Sequence, residues 1–291
     1  MHREVIEIDL VPVLYYVEGE GEPVIAFHLP TSPHHCFARN VSELAKSFKV
    51  YVVDLRPPVV LKTWRMRNMR LIDYLEEVVL KFMDALGIKK TRLIGAHKAG
   101  ALAMYMAARH PDRISKLVLY STLGLTRAPS SAPAFRFIFF FMKWPGVAFM
   151  GRVKMIRQFV KWADLRGVGQ WRVGQFFGPG EPHDHATLTR HLELIYTTFL
   201  SPPDIWAYEV MIFTINYLKY DVVDPFIPQI TQKTLLVFGD DEYAIPQAHQ
   251  QEYRRLIKQS EVLTIKNTRL YPHYECAEEV NAHTIRFLTG D

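Results

Sequence analysis

The chain has 291 residues, 49% of them hydrophobic and 22% charged, which suits a folded protein with a sizeable core and excludes disordered, collagenous and low-complexity classes. Its net charge is +5, and the excess sits in one block between Gly124 and Gly180, where bases from Arg127 to Arg172 face a single acid, Asp164. Charge confined in this way does not suit a nucleic-acid-binding domain, and two cysteines, Cys36 and Cys276, exclude a disulfide scaffold.

In chain order, VLYYV (13–17), VIAFH (24–28), VYVVDL (50–55), TRLIGAH (91–97), KLVLYS (116–121), TLLVFG (234–239) and EVLTIK (261–266) predict strands. Between them the period changes. Residues 70–86 set Leu71, Leu75, Val78, Val79, Phe82 and Leu86 on one helical face, and 99–109 and 275–288 also predict helices. Near-continuous apolar strands separated by helices imply a parallel sheet covered on both faces. After Leu123 the pattern gives way to Pro, aromatic and basic residues for about a hundred positions, so 124–225 reads as an insertion over the carboxyl ends of the strands. The longest apolar stretch, Phe137 to Met142, is far short of the roughly 20 residues a membrane span needs. With no secretory signal at the amino terminus, the cytoplasm is the expected compartment.

The segment TRLIGAHKAGALAMYMAARHPDRISKLVLYS resembles the nucleophile elbow of the α/β-hydrolase fold, in which G-x-S-x-G occupies a sharp strand-to-helix turn that needs small neighbours. Gly95, Ala96, Ala99 and Gly100 supply them. His28 after an early strand, Asp54 to Arg56, the turn Gly239 to Pro246 and the final RFLTG helix extend the resemblance. It implies an α/β fold with a mostly parallel central sheet flanked by helices. The core domain would be 1–123 with 226–291, and 124–225 a helical cap.

The same resemblance locates the residues of a Ser-Asp-His triad, and here they differ. His97 stands where the nucleophilic serine belongs. Keeping Pro272 and Glu275 in ungapped register places Leu270 where the base belongs, and a hydrocarbon accepts no proton. His273, three residues later, serves only if the loop is rearranged. Glu242 takes the acid position, with a solvated acidic turn beside Asp240 and Asp241 as the alternative. The oxyanion donors would be the Lys98 N–H and an N–H from the loop after His28, where Leu29 and Pro30 compete for the position and only Leu29 has a proton to give.

Function follows from these replacements. The chain is similar to lidded hydrolases of small esters, epoxides, haloalkanes or carbon–carbon bonds, yet resembles non-catalytic members such as the N-myc-downstream-regulated type. The expectation is a pseudoenzyme, non-catalytic or weakly active, that binds a small apolar or acidic molecule or a protein partner under the lid. The alternative is an atypical hydrolase using His97, His273 and Glu242. No cofactor, metal or nucleic acid is expected, although His34, His35, His97 and His273, with Cys36 and Glu242, could in principle hold a divalent ion. Cys36 as a replacement nucleophile, and His183, His185 and His191 as a second ligand set, are weaker options beside a core thiol and an Asp184 helix cap. A homodimer is one expected assembly, and the aromatic, basic lid could touch anionic lipid peripherally.

Overall fold

The computed structural model describes residues 1–29, 36–55, 69–122, 223–242, 245 and 247–290, with the backbone alone at 28 and 29. Within them the strands are β1 (His2–Ile8), β2 (Val11–Glu18), β3 (Pro23–Leu29), β4 (Lys49–Asp54), β5 (Thr91–His97), β6 (Ile114–Tyr120), β7 (Lys233–Gly239) and β8 (Ser260–Ile265). The helices are α1 (Val41–Leu44), α2 (Leu71–Ala85), α3 (Ala99–Arg109), α4 (Gln247–Leu256), α5 (Pro272–Glu275) and α6 (Ala277–Thr289).

The strands form one sheet in the order β1-β2-β4-β3-β5-β6-β7-β8, parallel from β4 to β8 and antiparallel where β2 meets β1 and β4. The apolar residues of the parallel strands alternate between two cores, as a period of two requires when both faces are covered. Ile25, Phe27, Tyr51, Val53, Leu93, Leu117 and Leu119 pack with α2 and α3. Val24, Ala26, Val50, Val52, Ile94, Ala96, Val118 and Tyr120 pack with α1 and α6 on the other face. On α2 the predicted apolar face is buried at Leu71, Leu75, Val78, Val79 and Phe82.

Four elements go beyond the sequence prediction, the one-turn helices α1 and α5 together with β1 and α4. β1 pairs with β2 through a tight turn at Asp9 and Leu10, both at positive φ, and all of its residues but Ile6 and Ile8 are exposed, too little burial to announce a strand. α4 buries only His249 and Tyr253, too few to make an apolar stripe. The cap 124–225 lies outside the described residues except Val223 to Pro225, and so do His34, His35, Arg56, the basic block, and His183 to His191. No helix among the described residues is long and apolar enough to cross a membrane.

Candidate active site

The site begins at a turn. β5 ends at His97 and α3 starts at Ala99, and His97 carries the reversal at φ 52°, a left-handed conformation rare outside glycine and asparagine. The turn is closed by contacts that tolerate no added atom. A Cβ at Gly95 would lie 2.7 Å from Gly100 Cα, and one at Gly100 would overlap the buried Thr122 side chain. Gly95 and Gly100, two of the small residues that carry the resemblance, are therefore required by packing. Beside the turn, β3 runs parallel to β5 with Leu29 in register with His97, which brings the backbone of the expected oxyanion loop alongside. Lys98 follows half-buried, and desolvation pushes its ammonium down to about 8.

The His97 ring is buried, edge-on to Tyr271 with centroids 4.5 Å apart and 5.8 Å from the ring of His273. His273 is fully buried in α5 and stacked on Tyr120 at 4.8 Å. Its Nε2 lies 3.1 Å from Cys36 Sγ, and its carbonyl accepts a 2.7 Å hydrogen bond from Asn40 Nδ2. Asn40 also donates to Asn281 Oδ1 on α6 at 2.8 Å, and Asn281 Nδ2 donates to Arg39 O at 2.9 Å. Glu275 completes the support by accepting the Arg269 and Tyr271 backbone N–H groups at 3.1 and 3.3 Å.

This places His273 next to His97, where the ungapped register puts Leu270 in the base position. Leu270 is buried. Tyr271 caps α5 and Pro272 opens it, so His273 enters in the first turn of that helix with its ring 5.8 Å from that of His97, and Leu270 precedes the helix. His97 and His273 are both buried, and their rings lie among aromatic neighbours.

Glu242 is also not a solvated turn acid. Asp240 and Asp241 are exposed, whereas Glu242 is buried and accepts a 2.9 Å hydrogen bond from Ser121 Oγ. Desolvation pushes its carboxyl up to about 8, against the Ser121 and Gly239 hydrogen bonds and with a further upward push from Glu275. Its hydrogen bonds thus go to Ser121 and the Gly239 backbone, with neither imidazole among them. Ser121, at φ 41° just past β6, is the partner that sequence reasoning missed. Tyr120, Tyr271 and Asn40 were also unmarked, because their role is to seat His97 and His273 and no motif names it.

Cys36 Sγ and one ring nitrogen each from His97 and His273 lie within 4.8 Å of one another, and all three side chains are buried. Burial pushes the Cys36 thiol above its usual range. Chemically the cluster offers two imidazoles and a thiol, while the Glu242 carboxyl that the triad would use accepts from Ser121.

A family model for the alpha/beta hydrolase fold matches residues 14–169, more than half of the chain. The chain is 38% identical over 50 residues to 2-hydroxymuconate semialdehyde hydrolase of Pseudomonas putida, covering 17% of this chain and 18% of that protein. It is 30% identical over 129 residues to cis-3-alkyl-4-alkyloxetan-2-one decarboxylase of Shewanella oneidensis, covering 41% of this chain and 38% of that one. These matches span less than half the length of either curated relative. A meta-cleavage product hydrolase from Pseudomonas fluorescens IP01 superposes with a TM-score of 0.72 at 19% identity, over 98% of this chain and 97% of that one. The sheet order, the strained turn at His97 and the family match agree: this chain belongs to the alpha/beta hydrolase fold family.

Proposed function

We propose that this chain is a member of the family whose serine acyl-transfer machinery has been dismantled, leaving a site that binds a small apolar or acidic molecule and turns over ordinary esters weakly or not at all. The observation that carries this reading is the commitment of Glu242 to Ser121. In a working triad the acid orients an imidazole and stabilises it once protonated. Here the carboxyl is buried, pushed up to about 8 by desolvation, and bonded to a hydroxyl, and the residue at the elbow is an imidazole in place of the hydroxyl nucleophile. The relatives' names speak of hydrolysis and decarboxylation, and the chemistry of those proteins is not carried over to a site that differs at the nucleophile. Two cysteines outside any disulfide suit a reducing, cytoplasmic setting.

One observation favours a second reading, an atypical hydrolase. The ring nitrogens of His97 and His273 lie within 4.8 Å, the reach of a single bridging water, so a proton could pass between a nucleophilic and a basic imidazole. A panel of short p-nitrophenyl esters assayed with wild type, His97→Ala and His97→Ser separates the two. The first reading expects no turnover above the His97→Ala background and no rescue by His97→Ser. Strong turnover that disappears in His97→Ala, or strong activity in His97→Ser, overturns it in favour of His97 or a serine acting with His273.

A further inference from the structure

We propose that Cys36, His97 and His273 form a three-ligand site for a thiophilic divalent cation, zinc being the representative, at the place where hydrolases of this fold keep their nucleophile and base. The inference goes beyond the dismantled-hydrolase reading and holds whether or not any ester is turned over.

The donor set is the first reason. One thiol and two imidazoles, each able to present a ligand atom within 4.8 Å of the others, are all buried at one point. Sulfur and imidazole nitrogen select zinc, cobalt and related ions over magnesium or calcium, which take oxygen. The spacing is the second. Ligands at about 2.0 to 2.3 Å around a tetrahedral ion stand roughly 3.3 to 3.6 Å apart. Cys36 Sγ and His273 Nε2 are already 3.1 Å apart, and the widest pair closes by a movement on the order of 1 Å.

The surroundings are the third. Metal-binding histidines work best when other groups fix the ring orientation. His273 is held by Tyr120 stacking, Phe37 at 5.8 Å and the Asn40 bond to its carbonyl, and His97 by Tyr271 and the strained turn. The three ligands come from three separated parts of the chain, which is why no short-spaced metal motif marks them. Binding is an acid–base step without redox change: the Cys36 S–H bond breaks as the sulfur–metal bond forms, and the proton leaves to buffer. A divalent ion with one thiolate keeps a net charge of +1 and an open fourth position, which suits a water or the carboxylate of an acidic ligand.

The test uses the full chain stripped with chelator and titrated with Co2+ alone. The expected result is one ion per chain, a thiolate-to-cobalt charge-transfer absorption in the near ultraviolet, and one proton released per ion at constant pH. Cys36→Ser should remove the absorption and His97→Ala weaken binding by about tenfold or more. Cys276→Ser should leave both unchanged. If Cys36→Ser does not fold by circular dichroism, the wild-type spectrum and the Cys276→Ser control decide alone. Absence of the thiolate absorption in wild type, or its loss in Cys276→Ser, overturns the proposal. Neither readout involves turnover, so ester hydrolysis by the chelator-stripped protein tests the dismantled-hydrolase reading separately.

Discussion

Cys36 Sγ meets His273 Nε2 at 3.1 Å across 237 positions of sequence, and the contact is fully enclosed. A thiol seated this way is a poor nucleophile, because burial penalises the thiolate that reacts. In the folded, metal-free protein the half-buried Cys276 is therefore expected to react with iodoacetamide before Cys36, with Cys36 modified only on unfolding. Peptide mapping by mass spectrometry over a time course checks the order, and Cys36 labelling as fast as a free exposed thiol would sink the expectation.

The left-handed backbone at His97 gives a second prediction. His97→Ala and His97→Gly both delete the ring and its contact with Tyr271, but only glycine accepts φ 52° without a Cβ clash. His97→Gly should be more stable than His97→Ala by about 1 kcal/mol, the cost of a left-handed residue with a side chain. Urea denaturation of the two variants measures the difference. Equal midpoints would mean the turn relaxes when the ring is removed.

Glu242 makes stability depend on pH. Its folded value of about 8 lies above the ordinary 4.5, so between those values the folded state holds a proton that the unfolded state has released. Its contribution is greatest below about pH 4.5 and is lost as pH rises through about 8. Glu242→Gln keeps an oxygen acceptor for Ser121 and removes the titration. It should gain on the order of 1 to 3 kcal/mol over wild type at pH 8 and little at pH 5. Thermal melts across that range test it, and a constant gap between the two proteins would be the contrary outcome.

The elbow tolerates no methyl group. Gly100→Ala drives a Cβ into Thr122, whose side chain is fully buried, and overpacking of this kind costs about 1 to 3 kcal/mol or more. A drop in melting temperature of several degrees is expected, as is loss of the His97–Tyr271 arrangement. An unchanged melting temperature would show that α3 shifts away from β6 freely.

What could be read from the sequence follows where apolar burial is strong. The parallel strands and α2 announce themselves because both sheet faces and one helix face exclude water. The polar α4 and the exposed β1 do not, since few of their residues enter a core. At the site, Gly95 and Gly100 were legible because a close approach demands glycine, and His97 because it sits between them. His273 was legible only as an alternative to Leu270, because the ungapped register favours Leu270 while the fold sets the His273 ring 5.8 Å from that of His97. The burial of Glu242 depends on Ser121, which lies 121 positions away and belongs to no motif.

The Asn40 link has a consequence in time. Asn40 is wholly buried, and its side-chain NH2 donates to His273 O and Asn281 Oδ1, which follow it by 233 and 241 residues. A growing chain on the ribosome makes Cys36 and Asn40 early and cannot complete their surroundings until α5 and α6 have emerged. Contacts so distant along the chain form late and slowly, because loop closure precedes any return from them. A nascent chain stalled after β8 lacks both acceptors of the Asn40 NH2 and the imidazole that meets Cys36, so this corner of the site is the last to be completed.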